Sequence, residues 1–247
     1  MATNQFYSII SGVGPGTGRS VALKFAKTYA VAVLARHPEN YEPIVSQIKA
    51  AGGHAIGISA DAQSASSVSD AFARIEKEFQ GKKLAAAVYN VGGGFIRKPF
   101  LELTQDEFEL GYKSQGAGFF LFAQKVLPLL LDAVPTSPSP PTLIATGATA
   151  SIRGSANMAA FASGKFALRA TAQSLAREFG PQGVHIAHVI VDGVINIPRT
   201  KDWPINGGVA DGKIDPEAIA DTYWYLHTQP RSQFTQEIDI RPYVEKF

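Results

Sequence analysis

The feature that most constrains this chain is an alternation running almost its whole length, in which short apolar, β-rich runs are separated by longer segments of helical period. Phe6–Ser11 precedes a helical stretch over 19–28; the runs 31–35, 55–60 and 84–90 are followed in turn by helical segments at 41–50, 64–79 and about 104–131. A proline-rich loop over 134–141 cannot continue a helix and delivers the chain to the run Thr142–Thr146. A helix over 158–179, a strand over 184–191, a helix over 216–227 and a strand over 234–240 complete the pattern. Strands that read as continuous apolar runs must be buried on both faces, which helices layered on both sides of a parallel sheet achieve. The expected fold is therefore α/β, a doubly wound parallel sheet of Rossmann type. At 247 residues one hydrophobic core can serve the whole chain, so 1–247 is expected to form a single domain.

Composition removes several function classes. Lys and Arg number 23 against 21 Asp and Glu, and this scattered net charge of +2 provides no nucleic-acid footprint. With no cysteine, disulfides, thiolate catalysis and Cys-based metal sites are excluded. His37, His54, His185, His188 and His227 lack the paired spacing of metal ligands, so no metal is assigned. The residues ahead of Phe6 carry no basic region, and no apolar stretch there has the length of a signal peptide or membrane span. The expectation is a cytoplasmic protein that acts on a small molecule and uses neither membrane nor nucleic acid as a partner.

The first strand is followed at once by Ser11-Gly12-Val13-Gly14-Pro15-Gly16-Thr17-Gly18, which opens the first helix. Backbone amides and the helix dipole can meet a pyrophosphate there, and glycine permits the close approach. A tight strand-to-helix turn selects glycine by itself, so the signal gains weight only from its position. The second strand ends in Ala35 and Arg36, without the carboxylate that would bind an adenosine ribose diol. A guanidinium at Arg36 can pair bidentately with a 2′-phosphate, with Arg19 as reinforcement, so the expected cofactor is NADP(H).

The spacing of Gly12, Gly16 and Gly18 resembles the Thr-Gly-x-x-x-Gly-x-Gly signature of the short-chain dehydrogenase/reductase family, with Ser11 in the threonine position. Asp61, after the third strand, resembles the family residue that meets the adenine amino group. Asn90-Val91-Gly92 resembles the Asn-Asn-Ala-Gly element that lines the cofactor, and Ile195 lies in the frame of the family's later Pro-Gly motif. The likeness covers essentially the whole chain in order. It implies a homodimer or homotetramer paired through the two long helices, and a lysine, here Lys165, on the nicotinamide ribose.

At its chemical centre the resemblance breaks. The family's relay is an Asn, a Ser, a Tyr and a Lys, with Tyr-x-x-x-Lys on one helix; this chain has Phe161-Ala162-Ser163-Gly164-Lys165, and a phenyl ring has no proton to exchange. The serine offset reaches Ala148, beside Thr149 and Thr146, and a one-residue register change would present Thr149. The Asn position holds Gln115, and the later motif has Asp192 for Pro and Ile197 for Thr. These substitutions resemble a divergent subgroup. Lys165, Thr149 and Gln115 are the candidate catalytic residues, with Tyr89 and Tyr112 as further proton sources.

Two functions follow. One is an atypical oxidoreductase that reduces a C=O or C=N bond, best suited to a substrate such as an iminium ion that needs no proton on oxygen. The other is a non-catalytic NADP(H)-binding protein on the same scaffold. The loop over 195–213 is expected to cover the site, and Trp203 reads either as part of an apolar lid or as a surface-packed side chain.

Overall fold

A computed structural model describes residues 5–93 and 95–246. Its seven strands are β1 (Phe6–Ser11), β2 (Ala30–Ala35), β3 (Ala55–Ser59), β4 (Lys83–Tyr89), β5 (Thr142–Thr146), β6 (His185–Val191) and β7 (Glu237–Ile240). All pairings are parallel and the order is β3-β2-β1-β4-β5-β6-β7. The winding reverses between β1 and β4, so their carboxyl ends diverge and leave a crevice, the usual ligand position in such sheets.

Every residue of β1, β2 and β6 is buried, as continuous apolar runs require. Successive side chains of β1 serve opposite layers: Tyr7 and Ile9 enter one core with Phe72, Phe119 and Leu168, while Phe6 and Ile10 enter the other with Phe25 and Tyr223. The first layer is covered by α3 (Ala65–Glu78), α5 (Gly118–Ala133) and α6 (Ala159–Phe179), the second by α1 (Thr17–Ala26), α2 (Glu42–Ala50) and α7 (Pro216–His227). The expected elements are therefore present, with ends moved by one to three residues. The exit from the last loop differs most: Phe234 is not in the strand but stacks on the His185 ring, centroids 4.4 Å apart.

The long central helix starts with α4 (Gln105–Tyr112), where Thr104 and Glu107 form a reciprocal capping box. A π-helical turn, Lys113–Ala117, interrupts the ladder before α5 resumes, and residues in this turn are rotated inward. α4 crosses α6 at backbone distance: a β-carbon on Gly111 would lie 1.9 Å from the Ala160 carbonyl oxygen, and one on Gly164 2.2 Å from that of Gly111. Gln105–Ala133 is long and apolar enough, by length and composition alone, to cross a membrane, as a core helix also can be, and half of its most apolar window is buried in the fold.

Candidate functional site

Around the carboxyl ends of β1, β4 and β5 lies an open cleft of about 1010 Å³. Its floor is the turn after β1. The amides of Gly12 and Val13 both donate to the Leu34 carbonyl, at 2.9 and 3.1 Å. Gly12 adopts φ +84°, and a β-carbon there would lie 2.4 Å from the Asn90 carbonyl oxygen, so only glycine fits. Asn90 clamps the turn, its Nδ2 donating to the Gly12 carbonyl at 2.9 Å and its own amide to that of Ser11 at 2.8 Å. Gly18 lets α1 pack on Val13, and Gly14, Gly16 and Thr17 line the cleft beside it. The N-cap residue, Gly16, makes no side-chain cap, and the first turn holds no acidic residue. The α1 amides and dipole thus remain available to an anion.

Arg36 is exposed at the rim of this cleft, directly after β2, with Ala35 where a carboxylate would exclude a 2′-phosphate. Arg19, expected to assist it, is not among the residues that line the cleft. Its guanidinium donates to Gln47 Oε1 at 3.0 Å and stands 3.6 Å from Glu217 Oε1, in a separate hollow between α1, α2 and α7. The helical phase of α1 turns position 19 away from the dinucleotide crevice. Asp61 lines the cleft after β3, its Oδ1 accepting from the Gln63 amide at 3.0 Å. Gly92 continues the wall after β4.

At the other end, Lys165 is 5% exposed, and its Nζ donates to the Thr146 carbonyl at 2.8 Å. Burial pushes its ammonium down to about 8, because charge is penalised in a low-dielectric site. Phe161 lies one turn earlier on α6, its ring centroid 5.9 Å from that Nζ and 5.3 Å from the ring of Phe95. Ala148 presents no hydroxyl; its amide donates to Ser151 Oγ at 3.0 Å. Thr149 does face the cleft, with its hydroxyl hydrogen-bonded to Asp192 Oδ1. Gln115, carried inward by the π-turn, is fully buried and donates to the carbonyls of Val91 and Gly93 at 2.9 and 3.4 Å. It braces the loop after β4.

Two expected proton sources fall outside the site. The Tyr89 hydroxyl is buried and donates to the Ser114 carbonyl at 2.6 Å, and burial drives its pKa far upward. Tyr112 is exposed and is not among the residues lining the cleft. Nor does Trp203 line it; Ile195 and Ile197 do, and Ile197 Cγ2 would meet a β-carbon on Gly16 at 2.5 Å. Arg153, Met158 and Arg199 were missed by sequence reasoning, since loop positions without a motif give no signal.

A family profile described as short chain dehydrogenase matches residues 7–203. The chain is 29% identical over 163 residues to 2,3-dihydro-2,3-dihydroxybenzoate dehydrogenase of Bacillus subtilis (strain 168), covering 65% of this chain and 59% of that one. It is 26% identical over 178 residues to a 3beta-hydroxysteroid dehydrogenase of Mediterraneibacter gnavus, covering 71% and 61%. The chain thus spans about three fifths of the length of these relatives. The crystal structure of a short-chain dehydrogenase from Rhodopseudomonas palustris, 33% identical, superposes with a TM-score of 0.78 over 96% of this chain and 99% of that one. A metagenomic short-chain oxidoreductase in complex with NADP, 20% identical, shares the fold with a TM-score of 0.80 over 98% and 99%.

Proposed function

The chain belongs to the short-chain dehydrogenase family, and from that premise we propose that it is an atypical NADP(H)-dependent oxidoreductase, of a subgroup with phenylalanine in the usual tyrosine position. Its substrate is a small molecule with a C=O or C=N bond, or the reduced counterpart. The observation that carries this reading is the unequal survival within one cleft: the glycine turn, its Asn90 clamp and the buried Lys165 are kept, while position 161 has lost its hydroxyl.

The residues present fit a dinucleotide. The uncapped amides of α1 and the glycine turn would hold the pyrophosphate, Asp61 the adenine, and Lys165 the nicotinamide ribose hydroxyls. Arg36 would pair with the 2′-phosphate; a planar guanidinium matches it, and no carboxylate ends β2 to repel it. When bound, the dinucleotide supplies or accepts hydride; the chain's task is to orient the substrate and to manage the proton. The apolar walls from Phe95, Met158 and Phe161 favour a substrate with an apolar body. Exposed Phe108, Leu110, Tyr112, Phe120 and Phe166 all lie on the two long helices, which supports a homodimer or homotetramer paired there.

Titration with NADPH and NADH tests the cofactor assignment. NADPH should bind more tightly, and Arg36→Ala should erase most of the difference, on the order of 1.5–3 kcal/mol for a charge-assisted hydrogen bond. Equal affinities in the unmodified protein refute it. Single-turnover measurements of bound dinucleotide against carbonyls, imines, alcohols and amines separate this reading from a purely cofactor-binding protein, which the missing hydroxyls at 148 and 161 also fit.

A further inference from the structure

Asp192 is a carboxylate in a place where burial is expensive. It is 3% exposed, follows β6 directly, and lines the same cleft as Phe161 and Lys165. Buried charge persists only when paired, and two partners meet it. The Thr149 hydroxyl donates to Oδ1, and Arg241 Nη1 lies 3.3 Å from Oδ2. Asp239 and Glu245 also act on Arg241; of the charged side chains that line the cleft, the Lys165 ammonium is held on the Thr146 carbonyl at the end of β5, and Arg153, Arg199 and Glu245 stand along the same walls. Asp192 thus faces the Arg241 guanidinium with one oxygen and accepts from the threonine hydroxyl with the other.

That polarity has a chemical consequence. A threonine hydroxyl has one proton and two lone pairs. With its proton directed at Asp192, Thr149 offers the cleft only lone pairs. A carbonyl oxygen arriving there receives no proton from Thr149, whereas a hydroxyl or protonated amine can donate to Thr149 Oγ. We infer that Thr149 and Asp192 form a two-step proton acceptor that replaces the missing phenol, and that the resting site is set for oxidation of an alcohol or amine. The inference rests on the oxidoreductase reading given above.

For an alcohol, the substrate O–H bond breaks as its proton passes to Thr149 Oγ, and the proton of Thr149 passes to Asp192 Oδ1. The C–H bond on the carbinol carbon breaks with its electron pair, which leaves as hydride to the oxidised nicotinamide dinucleotide, and the C–O bond becomes C=O. Asp192, now a neutral acid, releases its proton to water in the open cleft. One alcohol and one oxidised dinucleotide give one carbonyl compound, one reduced dinucleotide and one proton. Thr149 touches the substrate and is the catalytic residue; Asp192 acts through it.

The test measures NADP⁺ reduction by the purified protein over a panel of secondary alcohols and cyclic amines, with the dissociation constant for NADP⁺ measured beside each rate. Asp192→Asn keeps the shape of the side chain and should lower kcat about 100- to 10,000-fold, the range for general acid–base catalysis, with KM and cofactor binding unchanged. Thr149→Val should lose as much, and Thr149→Ser, which restores the hydroxyl, should stay within about tenfold of the parent. If Asp192→Asn does not fold, Thr149→Val and Thr149→Ser decide. Variants that oxidise at the parental rate overturn the relay and leave the oxidoreductase reading standing. An unmodified protein that binds NADP⁺ and exchanges hydride with no member of the panel in either direction overturns both.

Discussion

Phe161→Tyr restores the one group whose loss defines this cleft, and its effect can be sized from the geometry. The Lys165 ammonium stands 5.9 Å from the ring centroid of Phe161. At an effective dielectric constant of about 20, a unit charge at a separation of about that size stabilises a phenolate by roughly 2–4 kcal/mol, or tens- to several-hundred-fold in acid dissociation. Burial works the other way on the lysine itself, pushing its ammonium down to about 8, so the cation still predominates at neutral pH. The new phenol should therefore serve as a general acid, raising NADPH-dependent reduction of simple ketones and aldehydes by about 100- to 10,000-fold over the parent. The assay is stopped-flow oxidation of bound NADPH. A smaller gain would point to positioning, because Ala148 offers no hydroxyl to hold the carbonyl oxygen and Gln115 is occupied with the loop after β4. The triple variant adding Ala148→Ser and Gln115→Asn is the remedy. A folded, NADPH-binding triple variant without carbonyl reduction refutes the reasoning, since the pocket would then not admit such substrates.

Lys165→Ala should weaken NADP(H) binding by on the order of 1.5–3 kcal/mol through lost charged hydrogen bonds, read by calorimetry; an unchanged dissociation constant in a folded variant contradicts its place on the ribose. Gly164→Ala puts a methyl group 2.2 Å from a backbone oxygen of α4 and should cost about 1–3 kcal/mol, a fall in Tm of roughly 2–12 °C for a chain of this size. An unchanged Tm would mean that the crossing is looser than the structure shows. His227 is fully buried, its ring nitrogens on the Tyr29 and Thr142 hydroxyls at 2.8 and 3.1 Å, and burial, with His185 nearby, lowers its pKa from 6.5 to about 3. Between those values the unfolded chain binds the extra proton, so stability is intact above 6.5 and falls by about 1.4 kcal/mol per pH unit below it. Chemical denaturation should show roughly 3 kcal/mol of this loss at about pH 4.5, absent from His227→Gln; parallel curves for the two proteins would refute the assignment.

What the amino-acid sequence determined by itself is local in origin. Apolar runs such as 31–35 and 142–146 read as buried strands because every side chain must leave water, and the glycine turn after Phe6–Ser11 reads as an anion cradle because its conformation is written in adjacent residues. The lost phenol at 161 was equally visible, one helical turn from Lys165. Only the tertiary structure decided the partners of polar side chains, because those come from residues far apart in the chain. Arg19 and Glu217 are separated by 198 positions, so no local pattern could show that the Arg19 side chain lies beside α7 while Arg36 lies at the rim of the cleft. Tyr89 and Tyr112 looked equivalent as proton sources until packing buried one against Ser114 and left the other on the surface. Asp192 showed the same limit in the opposite sense: as a substitution in a motif it had no chemistry, and it acquired one when the fold brought Thr149 to one oxygen and Arg241 to the other. Propensity and periodicity act over a few residues, whereas the direction in which a proton points is set by whichever groups the folded sheet brings within hydrogen-bonding distance.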